Sequence, residues 1–455
     1  MEDGKIIIIK EEGKMRKTYE AGFKGKVVLW HKYKYVIYIS AILIFINISS
    51  AIANERYNPL TSSQQHLQVK TLQSASMQIH YGIDVNIHDR NIGVRHIIQA
   101  FALIRGTGAR YVRVGAGGWK QAEPKRGVFD FRSVDRLIRA ARSQGLKVLL
   151  EIGGNTPDWD LPAGADVRHQ YGWVTYAPAD ATGATSLDGR VHGETDCAAF
   201  GEYVRRLTAN VAPLGVKYLI IWNEPQNFPK EWIPSNHETI DQNAAAYARL
   251  IHQAYINAHS VAPNIHILNG GTEILPVGLL HIMVHYRHNI RLARASLRFT
   301  RDLYNNPMFC RSIDVLDVHV GNHGPLWSRQ IVDESEHALM KHNGGRWIPV
   351  WVTESGYSSM RSVQTYKFKS GLKPEFEVEL GPGYDQGDRS QSKFLTNTYD
   401  SLIADKNVIG INWTFIVDPP YSGNPMQDGA GLGLVAENLR THKPAYFALK
   451  SIIKR

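Results

Sequence analysis

The chain has 455 residues, enough for one large domain or two ordinary ones, and its 43% hydrophobic content is typical of a globular protein. Its formal net charge is +10, but four of those charges belong to the first 53 residues. No dense basic run of the kind that binds nucleic acid is present, so a nucleic-acid partner is not predicted. The mild positive balance that remains fits an acidic substrate or no charged partner at all.

Residues 1–53 have the layout of an export signal. A polar leader that ends in several lysines (1–34) precedes an almost wholly apolar run (35–48), and small residues follow at 49–53. This pattern predicts a signal peptide cleaved near Ala53, or an uncleaved anchor in the inner membrane, because the run barely reaches spanning length. A buried core helix is a third interpretation, although no amphipathic face is visible. The remainder is predicted to be exported, to the periplasm or the extracellular space.

The sequence predicts neither a metal nor an organic cofactor. Its two cysteines, Cys197 and Cys310, could pair in an oxidising compartment or could both be buried thiols, and the sequence leaves both alternatives open. Three histidines, His281, His285 and His288, share a helical spacing. No glutamate follows the first of them as in an HExxH motif, so a solvated or partly packed helix face is the preferred interpretation.

Apolar strands alternate with amphipathic helices from residue 78 to the end, after a polar linker at 54–77. The predicted strands are 79–85, 109–114, 146–152, 217–222, 265–268, 313–320, 347–353 and 408–415. The predicted helices include 92–104, 198–211, 243–258, 291–303, 331–342, 390–404 and 445–453. Eight strand–helix units predict a closed (β/α)8 TIM barrel, a single catalytic domain over 78–455 with no separate C-terminal module. A monomer is expected.

Two of the predicted strands end in a glutamate. The fourth leads into Glu224 and then Pro225, which cannot continue the hydrogen-bond ladder, and the seventh leads into Glu354. In a barrel, these strand ends meet at the rim where active sites lie. A rim ion pair would explain either glutamate alone. Together they predict cleavage of a glycosidic bond with retention, in which one carboxyl donates a proton and another, about 5–5.5 Å away, attacks the sugar.

The segments 221–225 (IWNEP) and 352–356 (VTESG) resemble the clan A glycoside hydrolases, and the resemblance extends over the whole barrel. Within that clan the chain is most similar to glycoside hydrolase family 39, which includes β-xylosidases, α-L-iduronidases and an endoglycosidase that cuts a biofilm exopolysaccharide. The resemblance implies that Glu224 is the acid/base and Glu354 the nucleophile. The implied partner is a carbohydrate substrate, for which an exopolysaccharide is one candidate.

The resemblance also implies roles for residues around the two glutamates. Asn223 would hydrogen-bond the sugar 2-hydroxyl, and Arg113 on the second strand would favour the ionised nucleophile. A buried structural arginine is the competing interpretation. Trp413 would form the floor under the reactive sugar, or else belong to the barrel core. His319 would be positioned on the nucleophile, with His323 as the alternative for that task.

Aromatic residues cluster near the predicted strand ends, where rings can stack on the flat C–H faces of sugars. Trp119, Trp159, Trp222 and Tyr357 are the candidates for binding substrate. The same rim cluster includes Trp173, Trp232 and Trp327, and half of these rings are expected to be structural. Two other functions stay open: a transglycosylase that uses the same site, and a non-catalytic carbohydrate-binding barrel.

Overall fold

The computed structural model describes residues 79–85, 94–165, 177–190, 197–227, 240–276, 290–321, 323–360, 387–420 and 431–455. These residues belong to one compact unit, Met77–Arg455. The predicted export leader and linker lie outside the described residues, as do the predicted loop aromatics Trp173 and Trp232 and the histidine triplet. Within the ranges given above, no helix combines the length and the apolar composition that crossing a membrane requires.

Eight parallel strands form the inner wall of the molecule, which confirms the (β/α)8 TIM barrel. The strands are β1 His80–Asp84, β2 Tyr111–Gly118, β3 Lys147–Gly153, β4 Tyr218–Ile221, β5 His266–Asn269, β6 Leu316–Gly321, β7 Val350–Ser355 and β8 Val408–Trp413. Their order is β5-β4-β3-β2-β1-β8-β7-β6. A parallel bridge between Leu268 and Val315 joins the two outermost strands and nearly closes the barrel.

Helices surround this wall on the outside, as right-handed β-α-β connections require. They are α1 Val94–Thr107, α2 Trp119–Ala122, α3 Arg132–Ser143, α4 Ala179–Thr182, α5 Ala198–Val211, α6 Ile240–Val261, α7 Ile290–Tyr304, α8 Pro307–Arg311, α9 Pro325–His342, α10 Asp388–Ile403 and α11 Pro444–Ile453. Their apolar faces pack on the outward side of the strands in one continuous core.

Several boundaries differ from the predictions for identifiable reasons. The sixth strand begins at Leu316 rather than 313, because the Asp314 carboxylate accepts a hydrogen bond from the Ile267 amide at 2.9 Å. The helix predicted at 331–342 begins at Pro325, since proline is tolerated at a first helical position. The second strand continues past Val114 through an irregular register.

A separate apolar cluster fills the inside of the barrel. It consists of six buried residues that follow one another around the wall: Tyr111, Leu149, Ile220, Leu268, Val315 and Trp351. Side chains on one strand face alternate with a period of two, so the next inward-facing residues lie one layer closer to the carboxyl ends. The cluster is therefore the base on which the polar layer above it rests.

Candidate active site

The polar layer above the apolar cluster contains most of the charged side chains inside the barrel. Two residues after Tyr111 comes Arg113, and two residues after Leu149 comes Glu151. In the same way Asp317 follows Val315 and precedes His319, while Thr353 follows Trp351. Because these positions share the inward face, the strand period brings their side chains together at the carboxyl-terminal end of the barrel.

The chain turns sharply after β4 and presents Glu224 at the rim. Trp222 and Glu224 have positive φ angles of 71° and 42°, a conformation that non-glycine residues rarely adopt. The amide of Glu224 donates to the carbonyl of Gly270 at 2.7 Å, which holds this turn. A Cβ on Gly270 would lie 2.6 Å from the Trp222 carbonyl oxygen, so only glycine permits the close approach of the two loops.

Arg113 lies at the centre of the polar layer and bonds to four side chains. Its Nη1 donates to Asp84 at 3.0 Å and to Glu354. Its Nη2 donates to the Asn223 side-chain oxygen at 2.6 Å and is paired with Glu151 at 2.7 Å. Burial opposes the charge on Arg113, but the surrounding carboxylates raise its pKa well above the ordinary value. Arg113 therefore remains a cation and favours the ionised form of Glu354.

Asp84, at the end of β1, is the register partner of Arg113 on the neighbouring strand and accepts its hydrogen bond. Its second carboxylate oxygen accepts from the Asn412 amide at 3.0 Å, and the Asn412 oxygen accepts from the Trp351 indole at 3.0 Å. Burial raises the pKa of Asp84 to about 7, against the lowering effect of Arg113. This chain of hydrogen bonds fixes the orientation of the guanidinium that contacts Glu354.

His319 lies between the two predicted catalytic glutamates. Its Nδ1 is 2.8 Å from a Glu224 oxygen and 3.7 Å from a Glu354 oxygen, and its Nε2 is 3.1 Å from the Thr353 hydroxyl. Burial lowers the pKa of His319, but the charges of Glu354 and Glu224 outweigh burial and raise that pKa to about 10. The ring is therefore an imidazolium at neutral pH and donates a proton toward the glutamates.

A chain of two hydrogen bonds, through Thr353 to Asp317, holds the His319 ring. Thr353 donates its hydroxyl proton to Asp317 at 2.6 Å, and Asp317 is fully buried. Burial raises the pKa of Asp317 to about 6, with His319 and Arg113 acting in the opposite direction. One ligand atom from each of Glu224, His319 and Glu354 lies within 4.8 Å of the other two, so these residues could also hold a cation.

The two glutamates meet as the sequence predicted. Glu224 from the end of β4 and Glu354 on β7 lie with carboxylate oxygens within 4.8 Å of each other. Their side chains are 26% and 20% exposed, whereas Arg113 beside them is 5% exposed. A ligand at the rim can therefore reach both carboxyl groups, while the cations that orient them stay buried.

Most of the predicted sugar-stacking rings are instead buried in the core. Trp119 stacks on Tyr203 and donates its indole proton to Glu123 at 2.6 Å. Trp413 and Tyr357 are fully buried against Phe394. These rings offer no open face, which argues against direct stacking on a sugar and favours the core interpretation.

Three further rings of the predicted rim cluster are buried or contact other side chains of the protein. Trp222 is 1% exposed. Trp159 is partly exposed, but Arg126 lies 4.2 Å from its ring centroid and Trp119 meets it edge-on. Trp327, in α9, packs against the core. Among the described tryptophans of the rim cluster, Trp159 and Trp327 are the ones that keep part of their surface exposed.

The sequence analysis missed the second layer of acidic residues. Asp84, Glu151, Glu273 and Asp317 all lie in or beside the polar layer. The sequence contained one sign of these residues. Glu151 lies inside an apolar strand, and a carboxylate in that position requires a buried partner. Of the two alternatives for the cysteines, the structure shows buried thiols: Cys197 and Cys310 are both buried, and no disulfide joins them.

We predict that His319→Gln lowers the melting temperature most at low pH. The stabilising effect of the imidazolium is fully present below the unfolded pKa of 6.5 and is lost as the pH rises through the folded value of about 10. Thermal unfolding at pH 6, 8 and 10 should therefore show a difference from the wild type that shrinks with pH. His337→Gln, at an exposed position on α9, is the matched control. A pH-independent difference would contradict the assignment of a charged His319.

A sequence-family model described as Glyco_hydro_42: Beta-galactosidase matches residues 93–177. No curated protein matches the chain. Among solved structures, the chain is similar to a family 39 glycoside hydrolase from the gut symbiont Bacteroides cellulosilyticus, with 16% identity and a TM-score of 0.52. That match covers 83% of this chain and 64% of that protein, which is less than two thirds of its length.

A second similar structure is a GH5_18 protein from Bifidobacterium longum subsp. longum in complex with Manβ1-4GlcNAc. It has 15% identity, a TM-score of 0.52, and coverage of 83% of this chain and 78% of that one. At these identities the likeness shows the fold, which is that of TIM-barrel glycosidases. The matches are divided among families 39, 5 and 42, and the family model spans less than half of the chain, so the comparisons show the fold and do not confirm family 39.

Proposed function

We propose that the protein is a retaining glycoside hydrolase in which Glu224 is the acid/base and Glu354 the nucleophile. The observation that carries the proposal is the approach of their carboxylate oxygens to within 4.8 Å, at the end of the barrel where TIM-barrel chemistry takes place. So close an approach favours double displacement, for which the two carboxyl groups lie about 5–5.5 Å apart, over inversion, for which they lie about 6.5–9.5 Å apart to hold a water.

The surroundings of the two glutamates support different tasks for them. Arg113 contacts Glu354 directly and stabilises its negative charge, as attack on the anomeric carbon requires. In the first step Glu354 would bond to the sugar while Glu224 gives its proton to the leaving oxygen. In the second step Glu224 would take a proton from water, which then releases the sugar from Glu354.

Asn223 has a position suited to holding the substrate. Its side-chain oxygen accepts from Arg113 Nη2 at 2.6 Å, so its amide N–H groups are directed away from the guanidinium. We propose that this amide donates to the sugar 2-hydroxyl, a contact that strengthens in the transition state. Arg113 would thereby orient both the nucleophile and the residue that recognises the neighbouring hydroxyl.

The substrate is proposed to be an oligosaccharide or polysaccharide outside the cytoplasm, in keeping with the export signal predicted for residues 1–53. The matched proteins are described as a β-galactosidase family and as a Manβ1-4GlcNAc complex. A product profile should therefore include β-galactosides and Manβ1-4GlcNAc beside plant polysaccharides and bacterial exopolysaccharides. Release of reducing sugar from one of these by the wild type identifies the working substrate for the tests that follow.

Replacing the nucleophile should abolish hydrolysis and permit chemical rescue. We expect Glu354→Ala to lose roughly 10⁴-fold or more in kcat/KM, because no group remains to form the covalent intermediate. Azide should restore part of the turnover on an activated aryl glycoside and yield a glycosyl azide of inverted configuration. Glu334→Ala, exposed on α9, is the matched control. Normal turnover by Glu354→Ala would refute the assignment.

Replacing the acid should show a dependence on the leaving group. We expect Glu224→Gln to lower kcat/KM by roughly 10²–10⁴-fold for a glycan, whose leaving oxygen needs a proton. The first step with a dinitrophenyl glycoside should be nearly unaffected, since that leaving group departs without protonation. Pre-steady-state release of dinitrophenol measures this step. Equal losses on both substrates would argue against an acid role for Glu224.

A further inference from the structure

The side chain of Tyr247, on α6, reaches the carboxyl ends of β4 and β5. Its ring is fully buried next to Phe299 of α7 and Phe309 of α8, with ring centroids 6.2 Å and 6.5 Å away. The Tyr247 hydroxyl accepts a hydrogen bond from the Gly270 amide at 2.8 Å and donates to the Ile221 carbonyl at 2.7 Å. An amide N–H can only donate and a carbonyl can only accept, so both roles of the hydroxyl are fixed. The hydroxyl therefore bridges the ends of the two strands.

This bridge lies where the hydrogen-bond ladder of the sheet would continue. Near the start of β4 and β5, the His266 amide donates to the Lys217 carbonyl at 2.7 Å. Bonds in this direction recur every two residues along a parallel pair, so the same series leads to the Gly270 amide and the Ile221 carbonyl. The Tyr247 hydroxyl connects these two groups and sets their separation. Without the hydroxyl, they would have to approach each other to bond.

Gly270 connects this bridge to the proposed acid/base. Its carbonyl accepts a hydrogen bond from the Glu224 amide at 2.7 Å. The same residue is thus held by Tyr247 through its amide and holds Glu224 through its carbonyl. The packing around it is close, because a Cβ on Gly270 would lie 2.6 Å from the Trp222 carbonyl oxygen. A displacement of Gly270 would therefore reach the turn that presents Glu224.

The turn itself depends on its surroundings for its shape. Trp222 and Glu224 both have positive φ angles, and a non-glycine backbone persists in that region only where the neighbouring structure holds it. On the side of β3, the Trp222 amide donates to the Ile152 carbonyl at 2.8 Å. The Trp222 ring also covers Gly153, where a Cβ would lie 2.6 Å from the ring. These contacts hold the turn to β3, and the Tyr247 bridge holds it to β5.

We propose that Tyr247 is a positioning residue for the acid/base step: its hydroxyl keeps the end of β5 at the distance at which the Glu224 carboxyl faces the leaving oxygen. This inference rests on the proposed role of Glu224. Tyr247 acts through the backbone of Gly270 and exchanges no proton with the substrate. Placement matters at this carboxyl, because a shift of about 1 Å in a catalytic group can cost roughly 10²-fold in rate.

The dependence on the leaving group tests the proposal. Tyr247→Phe keeps the buried ring and removes the hydroxyl. On the glycan found in the product profile, we expect kcat/KM to fall by roughly 10- to 100-fold, because the acid no longer meets the leaving oxygen squarely. Pre-steady-state release of dinitrophenol from the activated glycoside should stay within about twofold of the wild type, since that group leaves without a proton. Equal losses on both substrates, or no loss on the glycan, would overturn the proposal.

Two variants control for a loss of stability alone. Tyr446→Phe removes a hydroxyl that donates to the Leu103 carbonyl at 3.1 Å, between α11 and α1, and should leave both rates unchanged. Phe299→Leu loosens the packing of the Tyr247 ring but keeps the hydroxyl. It should lower the melting temperature without a selective loss on the glycan. A selective loss in Phe299→Leu as large as that in Tyr247→Phe would assign the effect to packing and overturn the proposal.

Amide hydrogen exchange tests the bridge without any substrate. In Tyr247→Phe, the peptides that contain the Gly270 and Glu224 amides should exchange faster by roughly tenfold or more, whereas Tyr446→Phe should leave them unchanged. Mass spectrometry of the digested protein measures this uptake. Unchanged exchange in Tyr247→Phe would overturn the proposal.

Gly270→Ala displaces the same residue from the side of Trp222, and it decides the question if Tyr247→Phe does not fold. This variant should show the same selective loss on the glycan. Losses of equal size on the glycan and on the dinitrophenyl glycoside would contradict the positioning of Glu224 through Gly270.

The Glu224→Gln variant separates this inference from the proposed function. If Glu224→Gln shows the expected dependence on the leaving group and Tyr247→Phe does not, the positioning role fails alone. If Glu224→Gln loses equally on both substrates, or if the wild type cleaves no glycan, the proposed acid role fails. The exchange measurement then still decides whether the Tyr247 hydroxyl holds the turn.

Discussion

Arg113 is the cation on which the rest of the polar layer depends. One guanidinium bonds to side chains from β1, β3, β7 and the turn after β4, so it connects half of the barrel wall. Several carboxylates can be buried together only where a cation compensates their charge. Removing one partner of a buried ion pair is therefore strongly destabilising. The apolar cluster beneath Arg113 and the hydrogen bonds to Asp84 hold it in place. The geometry of the rim follows from this single ion-paired centre.

The two glutamates have different surroundings, because the cations Arg113 and His319 are distributed unequally between them. Glu354 bonds to Arg113 and lies 3.7 Å from His319. Glu224 is hydrogen-bonded to His319 at 2.8 Å and makes no contact with Arg113 among the hydrogen bonds and ion pairs of the described residues. Environments that push the protonation of two carboxyls apart are the physical basis for assigning an acid and a nucleophile. On this account the contact with Arg113 suits Glu354 to the role of nucleophile and leaves Glu224 for the role of acid/base.

The sequence contained enough to predict the barrel and its two glutamates. Apolar strand runs alternate with amphipathic helix patterns eight times, and Glu224 and Glu354 each end an apolar run, so local patterns sufficed. The partners of Arg113 could not be predicted in the same way. Asp84 and Glu151 lie on the two strands that flank β2, and Asn223 follows β4, so their meeting depends on strand order and register, which a local pattern does not give. Nothing in a strand pattern says which inward residue faces which across the lumen.

The sequence could not predict which of the rim aromatics are buried, for a related reason. A tryptophan near a strand end has the same local sequence whether it faces a ligand or packs under a loop. Trp119 is enclosed by Phe200 and Tyr203 from α5, and Trp413 by Phe394 from α10, contacts that depend on how the helices pack outside the wall. Composition indicates that rings are present at the rim, whereas tertiary packing decides which of them a sugar can touch.

The most direct test of the account is the stereochemistry of the first product. Proton NMR during cleavage of the working substrate by the wild type distinguishes the two anomers before they interconvert in water. Two carboxyls this close predict that the new reducing end appears first with the same anomeric configuration as the bond that was cut. An initial product of inverted configuration would contradict the double displacement assigned to Glu224 and Glu354.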